Sequence, residues 1–152
     1  MTLRLQIQSA MTAAMKDRNA PRLSTLRLIL AAIKDREIAN RTNADREADS
    51  DQEIIELLGK LVRQRRETAQ IYEEAGRLEL AERELAEIDV IQEFLPRQLT
   101  EEEADAAISN IITALNASSI RDIGRVMAAL KKEYAGRMDF AAAGALLKSR
   151  LG

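Results

Sequence analysis

The sequence predicts an all-α protein with an N-terminal four-helix subdomain, residues 1–96, followed by a C-terminal three-helix subdomain, residues 97–152. Three observations carry this. The chain holds only two prolines and six glycines in 152 residues, so few positions oppose a helix. Apolar residues recur at helical spacing through most of its length, and no period-two alternation persists long enough for a strand. Leu95-Pro96 then interrupts the pattern, and Thr100-x-x-Glu103 follows as a capping box that starts a new helix.

Each element has its own signal. Leu3, Ile7, Met11, Ala14 and Met15 form the stripe of a first helix over Leu3–Lys16, with Thr2 as N-cap. A second helix runs from Pro21 to Asn40 with Leu23, Leu26, Leu30 and Ile33 inward. Pro21 suits a first turn, where its missing N–H has no partner to lose. The polar stretch RTNADREADS, Arg41 to Ser50, reads as a mobile loop. A third helix spans Asp51–Ala75 on Ile54, Leu58, Leu61, Ala69 and Tyr72, and Gly76 stands where a glycine stops a helix. A fourth covers Arg77–Leu95 with Leu78, Ala81, Leu85, Ile88, Ile91 and Leu95 inward, closed by Pro96. Helix five covers Glu101–Leu115, and Asn116 to Ser118 turn the chain. Ser119 and Asp122 give a weaker capping signal for helix six, which Gly136 ends; Asp139 caps helix seven, Phe140–Leu151.

Composition narrows the chemistry. Aromatic residues are 3% of the chain and there is no Trp, so the core is aliphatic. There is no Cys and no His, which removes the thiol nucleophile, the usual general base and the usual metal ligand. No apolar run is long enough for a transmembrane helix, and MTLRLQIQ lacks a secretory core. The expectation is a cytoplasmic protein without membrane partner, metal or cofactor. The net charge of −2 conceals blocks of opposite sign. Lys16–Arg41 holds seven basic and three acidic residues, +4. Glu73–Asp105 holds three basic and twelve acidic, −9; Arg121–Arg150 returns to seven basic and three acidic, +4.

Four groups are candidates for function. Glu84 and Glu87 share a helix face and suggest paired carboxylates, but without His the helical di-metal motif is incomplete. The simpler reading pairs these acids with Lys60, Arg63, Arg65 and Arg66 on the preceding helix, with Arg65 partly buried on the apolar stripe. Read alone, the KLVRQRRE segment of that helix suits phosphate. Ser24-Thr25 has no base in reach and is expected to bond back to its helix. Gly124 and Gly144 interrupt helices at a cost of about 1 kcal/mol each against Ala; the expected reason is close approach of helices six and seven, at Gly144 together with Ala141, Ala142 and Ala143. Finally, Arg121, Arg125, Lys131, Lys132, Arg137, Lys148 and Arg150 lie on the last two helices and their turn. They form either one phosphate-attracting face or an ordinary solvated one. With few aromatics to stack bases, folded RNA read by shape and backbone is the fitting ligand.

Three blocks resemble a known family: AAMKDRN with RLSTLRLILAAIKDREI, then GRLELAERELAEIDVIQEFLP, then DIGRVMAALKKEYAGRMD. Together they resemble the YqeY-like proteins of the GatB/YqeY domain family over essentially the whole chain. The last block is also similar to the tail domain of GatB, a component of the tRNA-dependent Asp/Glu amidotransferase, at Gly124-Arg125-Val126-Met127 and Gly136-Arg137-Met138-Asp139. Met138 and Phe140 depart from that pattern, and Phe140 is expected to anchor the last helix. The resemblance implies two helical subdomains and a link to glutamine-dependent tRNA amidation, a carbon–nitrogen ligase reaction with glutamine as amido donor. It implies tRNA as partner, and protein partners of tRNA amidation or translation. The expected role is an accessory protein that binds tRNA, with Arg125, Lys131, Lys132 and Arg137 as phosphate contacts, Gly124 and Gly136 setting the geometry, and no catalytic residue. The alternative is a helical protein–protein adaptor module without RNA binding.

Overall fold

The computed structural model describes residues 2–39 and 51–152. The loop expected over Arg41–Ser50 lies outside the described residues, as does Asn40. All regular structure among the described residues is helical: α1 Leu3–Lys16, α2 Ala20–Ala39, α3 Asp51–Glu74, α4 Leu78–Gln92, α5 Glu101–Ala114, a short 3-10 turn Ile120–Asp122, α6 Ile123–Glu133 and α7 Phe140–Leu151. The chain divides into two units, Met1–Leu95 and Pro96–Gly152.

The first unit packs α1 to α4 around an aliphatic core. Ile7, Leu26, Ile29, Ile33, Ile54, Leu58 and Ile91 are its largest fully enclosed side chains. Burying a side chain of this kind contributes about 1.5–3 kcal/mol, so this interior is the main force holding four helices together. The ends are stitched by polar bonds. Thr2 Oγ1 accepts the Leu5 N–H at 3.3 Å, and the Leu3 N–H donates to Asp51 Oδ1 at 2.9 Å. That single carboxylate ties the start of α1 to the start of α3, where it also meets the positive end of the α3 dipole. Arg4 pairs with Glu37, Arg36 with Glu53, and Arg22 with Glu93. Thr25 Oγ1 donates to the Pro21 carbonyl at 3.2 Å, the back-bond expected of it.

Several turns use the left-handed backbone region. After α3, Gly76 has φ 73°; its N–H donates to the Glu73 carbonyl and the Arg77 N–H reaches back to Tyr72. This is the Schellman arrangement. Asn116 repeats it after α5 with φ 51°, and Arg18 after α1 with φ 54°. Asn19 then accepts the Arg22 N–H and caps α2.

The second unit has its own core of Ile108, Ile111, Val126, Leu130, Ala143 and Leu147. Tyr134, Met138 and Phe140 pack against it, Phe140 as the anchor of α7. Thr100 and Glu103 make the capping box of α5. Asp139 Oδ1 accepts the Ala141 and Ala142 N–H groups at 2.9 and 3.4 Å. On the outside, Arg150 is held by Asp105 and by Ser109 Oγ.

Three expectations are corrected. Met15 is 51% exposed and lies off the α1 core stripe. Leu78 and Leu85 are 62% and 43% exposed: α4 buries Ala81, Ile88 and Ile91 instead, and the two leucines lie at the edge of that side. The close helix crossing at Gly124 and Gly144 is absent, since a Cβ built on either meets no atom within 4 Å. Ala141 and Ala142 are exposed as well.

The glycines therefore separate by role. Gly136 has φ 73°, where an L side chain costs about 1–2 kcal/mol. Gly136→Ala is expected to destabilise by that amount. Gly124→Ala, adding a methyl in open space in the first turn of α6, is expected to stabilise by less than about 1 kcal/mol. Urea unfolding of the two variants checks both signs.

Candidate nucleic-acid interface

Helix α6 begins at a polar joint. The Asp122 carboxylate accepts the Ser118 N–H at 2.9 Å and the Ser119 N–H at 3.3 Å, and the Arg125 Nη2 donates to its other oxygen at 2.8 Å. The backbone donors first, and then Arg125, hold this carboxyl below its ordinary range. Val126 and Leu130 are fully buried, with Ile123 and Met127 half-buried beside them. At 3.6 residues per turn, the opposite side of α6 carries Gly124, Arg125, Ala128, Lys131 and Lys132, all exposed. The one carboxylate of α6, Glu133, is exposed and follows Lys132 at the helix end. Lys131 and Lys132 make no ion pair among the described residues. Arg125 is shared with Asp122.

Three of the four expected phosphate contacts thus share one face with Gly124. Arg121, exposed and without an ion pair among the described residues, sits in the 3-10 turn one helical turn before Arg125.

Arg137 has a different setting. The Arg137 N–H closes the turn onto the Tyr134 carbonyl at 2.9 Å, with Gly136 at the third position, where positive φ is needed. Its Nε donates to the Arg97 carbonyl at 3.1 Å, and its guanidinium lies 5.8 Å from the Tyr134 ring centroid. Its own carbonyl accepts the Leu99 N–H at 2.8 Å, and Gln98 Nε2 donates to the Gly136 carbonyl. So the turn after α6 clasps the segment Arg97–Leu99. Two guanidinium nitrogens of Arg137 remain unengaged among the described residues. This clasp was not legible in the sequence; the weak hint was a Gln two residues after Pro96.

The same segment is pinned from its other end. Arg97 forks onto Glu103, Nη1 to Oε1 at 3.0 Å and Nη2 to Oε2 at 2.9 Å. Glu103 also accepts the Thr100 N–H at 3.2 Å. These donors push its carboxyl down to about 2.

In the first unit, Arg65 Nε meets Glu87 Oε2 at 2.9 Å with the arginine side chain 12% exposed, the partly buried pair expected on the apolar stripe. Lys60, Arg63 and Arg66 are exposed and reach no α4 carboxylate, which corrects the pairing expected of them. The Glu84 carboxyl is raised by burial, then by the neighbouring Glu87, with Arg65 opposing. Among the described residues no group of three or more acidic side chains is placed to hold a metal ion, and no helix is long and apolar enough to cross a membrane.

A family model described as Yqey-like protein matches residues 4–151. The chain belongs to the YqeY-like family. Three fungal proteins are similar to it. One from Lachancea thermotolerans, named altered inheritance of mitochondria protein 41, mitochondrial, is 34% identical over 64% of this chain and 51% of its own length. A protein of the same name from Pyrenophora tritici-repentis is 27% identical over 87% of this chain and 71% of its own. An uncharacterized protein of Schizosaccharomyces pombe is 30% identical over 62% and 72%. The match to the Lachancea relative thus spans about half of that protein's length.

For this YqeY-like chain the Arg97–Glu103 fork makes a pH signature. A carboxyl lowered from 4.5 to about 2 on folding adds stability above 4.5 that is lost as pH falls to about 2. Glu103→Gln is expected to lower the melting temperature at neutral pH, with the gap to wild type closing between about pH 4.5 and 2. Thermal melts across that range measure it.

Proposed function

We propose that this protein is a tRNA-associated accessory protein of the YqeY-like family, related to glutamine-dependent tRNA amidotransferases, that binds tRNA and does no chemistry of its own. The observation that carries the reading is the outward face of α6. Lys131 and Lys132 stand there without ion-pair partners among the described residues, beside Arg125 and on either side of the bare surface of Gly124 and Ala128. Unpaired ammonium groups lose no internal bond when they meet phosphate, and counterion release then drives association. Between them, Gly124 and Ala128 keep side chains out of the way of an approaching backbone. Arg137 offers its two free guanidinium nitrogens from the turn that Gly136 sets, held in direction by the Arg97 carbonyl and the Tyr134 ring.

The preferred ligand is folded RNA. The cationic face offers charge and shape but no exposed aromatic ring for base stacking, so backbone recognition is the mode that fits. The link to tRNA comes from the resemblance of the Gly124–Met127 and Gly136–Asp139 segments to an amidotransferase tail domain. The cytoplasm is the proposed compartment; two fungal relatives carry the word mitochondrial in their names, and tRNA works in both places. Protein partners from tRNA amidation or translation belong to the same reading. Unaided ammonia release from glutamine by the pure protein would contradict it.

Fluorescence anisotropy with total tRNA at two salt concentrations tests the proposal. Binding is expected to be tighter than the roughly 10⁻⁴–10⁻⁶ M of non-specific binders and to fall steeply with salt. Lys131→Ala/Lys132→Ala/Arg137→Ala is expected to reduce the log–log salt slope by about 2–3, one contact per residue removed. Gly124→Ala is expected to weaken binding although the fold gains stability. Binding that ignores the triple variant, or no binding, moves the function to the adaptor alternative.

A further inference from the structure

The apolar side of helix α4 extends past its buried residues. Ala81, Ile88 and Ile91 enter the core of the first unit. Leu78 and Leu85 lie along one edge of that side, Leu85 four residues and so about 40° around the axis from Ala81, and they are 62% and 43% exposed. They are seven residues apart, and Glu82 and Asp89 complete the same stripe at i, i+4, i+7 and i+11. Glu79 flanks it. None of these three carboxylates has an ion-pair partner among the described residues. Within the helix the sole cation, Arg83, stands away from the stripe. Isolated exposed leucines are ordinary. Two leucines in heptad register on one surface, framed by three unpaired carboxylates, form a pattern that the internal packing does not use.

We propose that this α4 stripe docks a basic amphipathic helix supplied by a partner protein. The leucines recur once per heptad with Glu82 and Asp89 between and after them, so the stripe offers two apolar contacts interleaved with negative charge to a helix laid along it. The acidic frame selects the partner's charge: Lys and Arg flanking its apolar seam would meet Glu79, Glu82 and Asp89. The same frame repels phosphate, so RNA and anionic lipid are poor occupants. The inference is independent of the RNA reading, because it uses α4 of the first unit and none of the α6 cations.

A defined probe tests it on the full chain. The probe is a fluorescent Leu/Lys peptide of about 18 residues, five turns at 3.6 residues each, with leucine at i, i+3, i+4 and i+7 and lysine elsewhere. A scrambled peptide of identical composition is the control. The patterned peptide is expected to bind at least about tenfold tighter than the scrambled one. Leu78→Gln/Leu85→Gln is expected to weaken it by about tenfold or more with little change in salt dependence. Glu79→Gln/Glu82→Gln/Asp89→Asn is expected to weaken it several-fold and flatten the salt dependence. These side chains are exposed, so the variants are expected to keep wild-type helicity by circular dichroism and a wild-type melting temperature. Equal binding of both peptides, no binding of either, or binding untouched by the leucine variant overturns the proposal and leaves only general attraction to an acidic chain. Sedimentation adds one more decisive outcome: a wild-type dimer that the leucine variant splits assigns the stripe to a second copy of this chain and overturns the partner helix.

Discussion

The architecture rests on the residues that stop helices. In a chain this rich in Ala, Leu, Glu and Arg, continuing a helix is the default, and a bundle forms only if the chain turns back. Among the described residues Arg18, Gly76, Asn116 and Gly136 have positive φ, and each follows a helix. Gly76 and Asn116 are residue types that take this conformation readily. Arg18 is not, and its left-handed backbone is supported by the bonds from its own N–H to Met15 and from the Asn19 N–H to Ala14. Because these turns return α2 against α1 and α4 against α3, the aliphatic side chains of the first unit can enclose one another without aromatic bulk.

Much of this was legible from the sequence, because capping is local chemistry. Thr2, the Thr100–Glu103 box, Asp139 and Gly76 each announce an end through residue type and spacing, and the structure uses them so; the helix expected to run to Pro96 stops earlier, at Gln92. Rotation of a helix about its axis is less legible. In α4, leucines, isoleucines and alanines cover a broad arc; the pattern alone does not say that Ala81, Ile88 and Ile91 outrank Leu78 and Leu85. The neighbours decide that, through the shape they leave open. The same limit explains α3, where the charges of Lys60, Arg63, Arg65 and Arg66 were evident but only Arg65 has the rotation that meets Glu87. It also explains Arg137, whose Nε is taken by a carbonyl forty residues earlier in the chain.

The common face of Arg125, Lys131 and Lys132 needed nothing beyond helical spacing, so that part of the candidate site was open to sequence reasoning. The freedom of the two lysines was not. It follows from where the acids fall: Asp122 turns its carboxylate to the 3-10 turn and Arg125, Asp139 to the α7 N-terminus, and Asp105 to Arg150. Asp105, Asp122 and Asp139 serve as caps and clasps at helix ends. What remains on the outer side of α6 is mostly positive charge, with the exposed Glu133 beside Lys132 at its end. In the first unit the imbalance has the opposite sign, since Glu79, Glu82 and Asp89 lie beyond the reach of α3 cations that point elsewhere.

Gly124 and the α4 leucines break the same rule in opposite directions. A glycine in a helix costs up to about 1 kcal/mol against alanine, and close packing would be the usual compensation; Gly124, in the first turn of α6, has open space around it. A solvent-facing leucine forgoes the burial that makes leucine useful, and Leu78 is 62% exposed. Where local residue choice conflicts with the fold and nothing inside the molecule offsets it, the compensation is sought outside. The two sites differ in what they could accept. A bare, cationic surface suits a ligand with a bulky anionic backbone, and a leucine pair in an acidic frame suits one with apolar ridges and positive flanks. The two proposals thus rest on conflicts of opposite charge, one on each unit, and each stands or falls by its own test.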